Sequence, residues 1–120
     1  MAQETPQEVA RALVQYGVTL HNAGQLVQAR EFYDEALLRD ADSFEALHMR
    51  GVVAVQLRAP AEAVAYLTRA AALRTTDASV FMHLGIAYKE LQRYDAAHTA
   101  FARALTLDAS NASIWNNAGN

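Results

Sequence analysis

The sequence predicts an all-α chain of stacked helical hairpins, and three sets of residues carry that prediction. Four of the five glycines, Gly17, Gly51, Gly85 and Gly119, stand 34 residues apart. Alanines follow the first three glycines at fixed offsets, first Ala29, Ala63 and Ala97, then Ala36, Ala70 and Ala104. Bulky residues keep the same period: Leu13, Leu47, Phe81 and Trp115 precede the glycines, and Tyr33, Leu67 and Phe101 follow the first three. A period of this length marks a repeat architecture, in which each unit needs its neighbours to bury its apolar face.

Within one period the apolar spacing is helical, so a unit holds two helices joined by a short turn. The glycine and the first alanine are small enough to let two antiparallel helices approach closely. The second alanine lets the next unit stack, and the bulky residues fill the space between layers. The units run over about residues 10–43, 44–77 and 78–111, with a partial fourth over 112–120, in one domain spanning 1–120.

Seven helices are expected. The first opens at "TPQE", with Thr5 as cap, Pro6 at the first helical place and Glu8 closing a capping box. "DSFE", from Asp42 to Glu45, opens the third helix in the same way, and Pro60 opens the fourth. Ser43, Ser79, Ser110 and Ser113 fall at or near helix starts. That position explains them without catalysis, because no glycine-flanked nucleophile elbow surrounds any of them. The closing stretch "SIWNNAGN" puts Trp115 and Gly119 in register with Phe81 and Gly85, the first helix of a fourth hairpin. A stop in mid-hairpin is the expectation for a fragment of a longer protein.

Composition narrows the function. With 52% hydrophobic and 19% charged residues the chain is globular rather than disordered. The formal charge of −3 includes no run of Lys or Arg, so a nucleic-acid partner is not expected. Absence of cysteine excludes disulfides, thiolate metal sites and cysteine nucleophiles. No basic leader precedes an apolar core, and no stretch approaches the ~20 apolar residues that cross a bilayer. The expectation is a cytoplasmic protein with no membrane partner.

Phosphate loops, HExxH and dinucleotide turns are missing, which argues against an enzyme and against a cofactor. Two carboxylate-x-x-His pairs, Glu45 with His48 and Asp95 with His98, have the spacing of di-iron ligands in bundles. They fall in different repeats and would need two further carboxylates to converge, so solvated helix surface is the better reading and no metal is expected.

The order of an aromatic or apolar residue, Leu-Gly, Tyr, Ala and Phe resembles the tetratricopeptide repeat. The third unit, "VFMHLGIAYKELQRYDAAHTAFARAL", carries it best, through Phe81, Leu84, Gly85, Tyr88, Ala97, Phe101 and Ala104. The resemblance covers about residues 10–111 and extends into the last nine. It implies a right-handed superhelical solenoid in which the first helix of each hairpin lines a concave groove for an extended peptide or a helix.

Residues six, three and two before each glycine, and one, four and five after it, should face that groove. In the first unit these are Arg11, Val14, Gln15, Val18, His21 and Asn22. The second unit supplies Glu45, His48, Met49, Val52, Val55 and Gln56, and the third Ser79, Met82, His83, Ile86, Lys89 and Glu90. Val14, Val18, Met49, Val52, Met82 and Ile86 form an apolar row that the hairpin core does not need, and such rows tend to be binding surfaces.

This chain departs from the family pattern in places. The proline usual near each unit's end is replaced by Ala41, Thr75 and Ala109, which should leave those turns less rigid. Arg50 stands where an apolar residue is expected and Ala54 where Tyr is usual. The expectation is that the stem of Arg50 fills the space beside Ala54 while its head reaches solvent. The Lys, Asn and Arg that grip a chaperone's terminal carboxylate are replaced by Val14, Val18, Met49, Ser79 and His83. A groove asparagine ladder is absent too, its column reading Gln15, Met49, His83 and Asn117.

The expected function is therefore a protein-interaction scaffold that takes a peptide or amphipathic helix in an apolar groove. Two alternatives stand beside it. The chain could be the substrate-recognition segment of a larger enzyme such as a transferase, or it could self-associate through an open end at Ile114 and Trp115.

Overall fold

The computed structural model describes residues 3–119. Among them seven helices follow one another: α1 (Pro6–Asn22), α2 (Leu26–Arg39), α3 (Phe44–Gln56), α4 (Pro60–Leu73), α5 (Ala78–Glu90), α6 (Tyr94–Leu107) and α7 (Ala112–Asn117). They pair as antiparallel hairpins, α1 with α2, α3 with α4 and α5 with α6, stacked along a long axis of 54 Å. No described helix is long and apolar enough to cross a membrane.

The first helix of each hairpin starts with a side-chain cap. At α1 the capping box forms as expected: the Thr5 hydroxyl accepts from the Glu8 amide at 3.1 Å, and the Glu8 carboxylate accepts from the Thr5 amide at 3.3 Å. Pro60 takes the first turn of α4. The start of α3 lies one residue later than expected. The Asp40 carboxylate accepts the Asp42 amide, and the Ser43 hydroxyl accepts from Ala46 N–H at 3.2 Å. Asp77 caps α5 and Asn111 caps α7, so Ser79 and Ser113 lie inside helices and Ser110 in a turn.

The second helices start differently, because the preceding helix has already turned the chain. Gly24, Arg58 and Gln92 have φ of 81°, 64° and 60° and stand 34 residues apart. At each, the next amide reaches back five residues, Gln25 to Leu20, Ala59 to Ala54 and Arg93 to Tyr88, closing the helix end in a Schellman turn. Glycine adopts this left-handed conformation without the Cβ clash that Arg58 and Gln92 carry.

Inside each hairpin the repeated glycine faces the bulky residue sixteen positions later. A methyl at Gly17 would sit 2.5 Å from Tyr33 Cε1, and one at Gly85 would sit 2.6 Å from Phe101 Cε1. Gly51 stands in the same way against Leu67. The spared volume therefore admits a large side chain, while the alanines line the rest of the core: Ala29, Ala36, Ala63, Ala70 and Ala104 are completely buried. Gly119 differs from the other three. It has φ of 89° and lies beyond the six-residue α7, so it ends that helix and does not sit inside it.

The three turns that lack proline are each tied by a side chain. Arg69 Nη2 donates to the Ala41 carbonyl at 2.9 Å and Arg103 Nη2 to the Thr75 carbonyl at 3.0 Å. Trp115 Nε1 donates to the Ala109 carbonyl at 2.9 Å.

The expectation for Arg50 is overturned. Its side chain is only 6% exposed, with Nε donating to Asp34 at 2.6 Å and Nη2 to Glu62 at 2.6 Å. The guanidinium lies 4.6 Å from the Tyr66 ring centre. Asp34 on α2 and Glu62 on α4 close over it from both neighbouring helices. A buried charge persists where carboxylates pair with it, and reading Arg50 alone missed the two acids that make burial affordable.

Candidate binding groove

Curvature follows from which helices touch. Successive odd-numbered helices are in contact, α1 with α3, α3 with α5 and α5 with α7, whereas among the described residues no even-numbered helix reaches another. The odd-numbered helices therefore stand closer together and form the inner side of the stack. All of the expected groove residues lie on them.

Of those residues, Gln15, Asn22, Glu45, Gln56 and Lys89 are exposed, and Val18, His48, Met49, Val52, Met82, His83 and Ile86 are half-buried. Val14 departs from the expectation. At 6% exposure it belongs to a core cluster with Ala10, Tyr33, Ala46 and Val53, because α1 leans against α3 at that level. Val18 and Met49 pack against the edge of the same cluster. The apolar row is thus surface for most of its length and core at its Val14 end.

Polar contacts join the helices along the inner face. Tyr33 is fully buried, and burial pushes its hydroxyl up to about 12, so it stays protonated. Its oxygen lies 3.2 Å from His21 Nδ1, and His21 Nε2 lies 2.5 Å from Gln56 Oε1. A carbonyl oxygen only accepts, so Nε2 carries the proton and Nδ1 accepts from Tyr33. This links α1 to α3.

A second cluster links α3 to α5. His83 Nδ1 donates to the Ser79 carbonyl at 2.8 Å, and the Ser79 hydroxyl lies 3.3 Å from His48 Nε2 and 3.4 Å from His83 Nδ1. The two imidazole rings stand edge to face with centres 6.1 Å apart. Arg74 borders the cluster, paired with Glu45 at 3.0 Å and lying 4.1 Å from the Phe44 ring centre.

Burial lowers both His48 and His83 below the ordinary imidazole value of 6.5. For His48, Arg74 and the neighbouring His83 add to the lowering, while Asp77 and Glu45 oppose it. For His83 the Ser79 carbonyl and Asp77 oppose it. The unfolded chain then binds protons more readily than the fold, so this contribution to stability is complete above pH 6.5 and lost as pH falls through the lowered folded values. In urea unfolding followed against pH, His48→Gln/His83→Gln should lose less stability than the parent between about pH 7 and 5. Equal losses in the two proteins would contradict this assignment.

Sequence reasoning missed Arg74 and Tyr33 at this site. Arg74 ends α4 and enters through the loop, outside every repeated position assigned to the groove, and Tyr33 appeared only as core. The two carboxylate-x-x-His pairs do not meet: α3 and α6 are not in contact, and Glu45 is held by Arg74. At the end of the stack Ile114 is completely buried, which removes it from any open surface, while Trp115 is 45% exposed beside a hollow of about 360 Å³.

Two family profiles described as tetratricopeptide repeat match this sequence, over residues 10–43 and 78–111, together more than half of the chain. Among curated proteins none matches it. Several solved structures are similar. The TPR domain of OM64 from Arabidopsis is 21% identical with a TM-score of 0.89, the alignment covering 93% of each chain. The first TPR of Spaghetti (RPAP3), bound to the HSP90 peptide SRMEEVD, is 20% identical with a TM-score of 0.90, over 98% of this chain and 93% of that one. MamA is 24% identical with a TM-score of 0.86, over 92% of this chain and 64% of its own. Identities this low speak for the fold, and the repeated columns and both profile matches agree with it: the chain belongs to the tetratricopeptide repeat family.

Proposed function

We propose that this chain is a binding module rather than an enzyme, and that it takes a short apolar peptide or one face of an amphipathic helix along α1, α3 and α5. The observation that carries the reading is the row Val18, Met49, Val52, Met82 and Ile86, half-open to solvent, with Val18 and Met49 at the edge of the core and Val52, Met82 and Ile86 outside both core clusters. A helix in a groove reads such a row through anchors at helical spacing, and an extended peptide reads it through alternate side chains. Methionines adapt their shape to either.

Similar domains support the reading by analogy: RPAP3 domains of this fold are described in complex with HSP90 and HSP70 peptides. Their ligand is not carried over. Val14, Val18, Met49, Ser79 and His83 stand where the family's carboxylate grip would be, and only the hydroxyl and imidazole of the last two are polar. The groove proposed here is read by shape and apolar contact.

The test is selection of a random peptide library on the immobilised protein, with Val52→Glu as the comparison. Val52 is central in the row and half-buried. A carboxylate there would be desolvated by any apolar ligand, so affinity for selected peptides should fall at least about 30-fold. Helicity should stay unchanged. A collapse of helicity would show Val52 to be core, and peptides that bind both proteins equally would place the site elsewhere.

A further inference from the structure

Outside the groove, corresponding positions of the three units differ in a way the repeat makes visible. The residue just before each glycine is Tyr16, Arg50 and Leu84, and the residue fifteen after it is Phe32, Tyr66 and Ala100. In the first unit the rings of Tyr16 and Phe32 meet with centres 5.8 Å apart. In the second, the Arg50 guanidinium covers the Tyr66 ring at 4.6 Å. The third unit has no ring in that column, and Ala96 replaces the residue equivalent to Glu62.

What remains is a hollow of about 450 Å³ between α5 and α6, walled by Phe81, Leu84, Tyr88, Ala96 and Ala100, with Arg103 at its edge. None of these residues faces the groove. Arg103 lies 5.7 Å from the Phe81 ring centre and Arg93 lies 5.4 Å from that of Tyr88. Among the described residues neither arginine has a carboxylate within ion-pair distance. An unmatched cation, Arg103, therefore borders an apolar space that the other units fill with aromatic rings.

We propose that this hollow is a docking site for a partner peptide that presents an aromatic side chain beside a carboxylate. The ring occupies the place held by Phe32 and Tyr66 in the other units, against the faces of Phe81 and Tyr88. The carboxylate pairs with Arg103. An aliphatic anchor fits less well, since ring edges and a guanidinium favour a ring in offset or edge-to-face contact. The site is independent of the groove and lets one chain hold two segments at once.

Amide chemical shifts in an NMR titration test this, with N-acetylphenylalanine as ring plus carboxylate and its primary amide as ring alone. The acid should shift the amides of Ala96, Ala100 and Arg103 with a dissociation constant on the order of 1 mM. The uncharged amide should bind roughly threefold more weakly. Ala100→Phe, which restores the missing ring, should abolish the shifts. Arg103→Gln, at an exposed position, should lower the acid to the affinity of the amide. Shifts confined to other surfaces, shifts that persist in a folded Ala100→Phe protein, or equal binding of acid and amide would overturn the proposal. Should Ala100→Phe fail to fold, Arg103→Gln decides alone: an undiminished preference for the acid would overturn it.

Discussion

The double variant Asp34→Ala/Glu62→Ala should lose about 3–5 kcal/mol of folding stability in urea unfolding. It leaves the Arg50 guanidinium buried with only the face of Tyr66 beside it, and Nη1 is already without a hydrogen-bond partner among the described residues. The cost is asymmetric. Asp34 and Glu62 are 46% and 51% exposed, so removing the arginine instead lets both carboxylates regain water. Arg50→Leu should accordingly cost no more than about 1 kcal/mol, because it removes the buried charge and leaves the two acids in water. Leu84 already occupies the equivalent place in the third unit. A double variant as stable as the parent would mean that the two acids do not compensate the buried charge.

Phe101→Ala should cost about 3–5 kcal/mol, the range for truncating a buried aromatic residue. The companion substitution Gly85→Ala should cost about 1–3 kcal/mol by overpacking, because its new methyl would sit 2.6 Å from the Phe101 ring. Alanine is otherwise the better helix residue by about 1 kcal/mol. In the Phe101→Ala background the same Gly85→Ala change should therefore reverse sign and stabilise. A double-mutant cycle reads this coupling directly. Gly85→Ala that stabilises the parent would show that the glycine and the ring do not compete for one space.

These two cases show what a repeat period reveals and what it hides. Periodicity identifies equivalent residues, and that sufficed for seven helices and for their pairing, while the capping box at Thr5 was legible from the local motif TPQE. It does not say what each equivalent residue touches. The glycine was read against the alanine twelve positions on, whereas its partner is the ring or Leu67 sixteen on. Arg50 was read alone because the acids that hold it, Asp34 and Glu62, come from two different hairpins.

Other features were hidden for related reasons. The left-handed column of Gly24, Arg58 and Gln92 holds one glycine in three, so residue type did not betray it. Val14 shares its register with His48 and Met82, yet it is buried because α1 leans on α3 at that level. The groove histidines were legible as positions, while the bridge from His48 through Ser79 to His83 depends on side-chain reach between two helices. Unfilled space was the least legible, since the hollow at Ala100 shows only when three units are laid over one another in space.

The claim that the inner face is the binding surface is tested most directly by mapping amide chemical shifts as a library-selected peptide is titrated into the protein. Shifts should concentrate on α1, α3 and α5 around Val18, Met49, Val52, Met82 and Ile86, and should vanish in Val52→Glu. Shifts confined to α2, α4 and α6, with the inner-face amides unmoved, would contradict it.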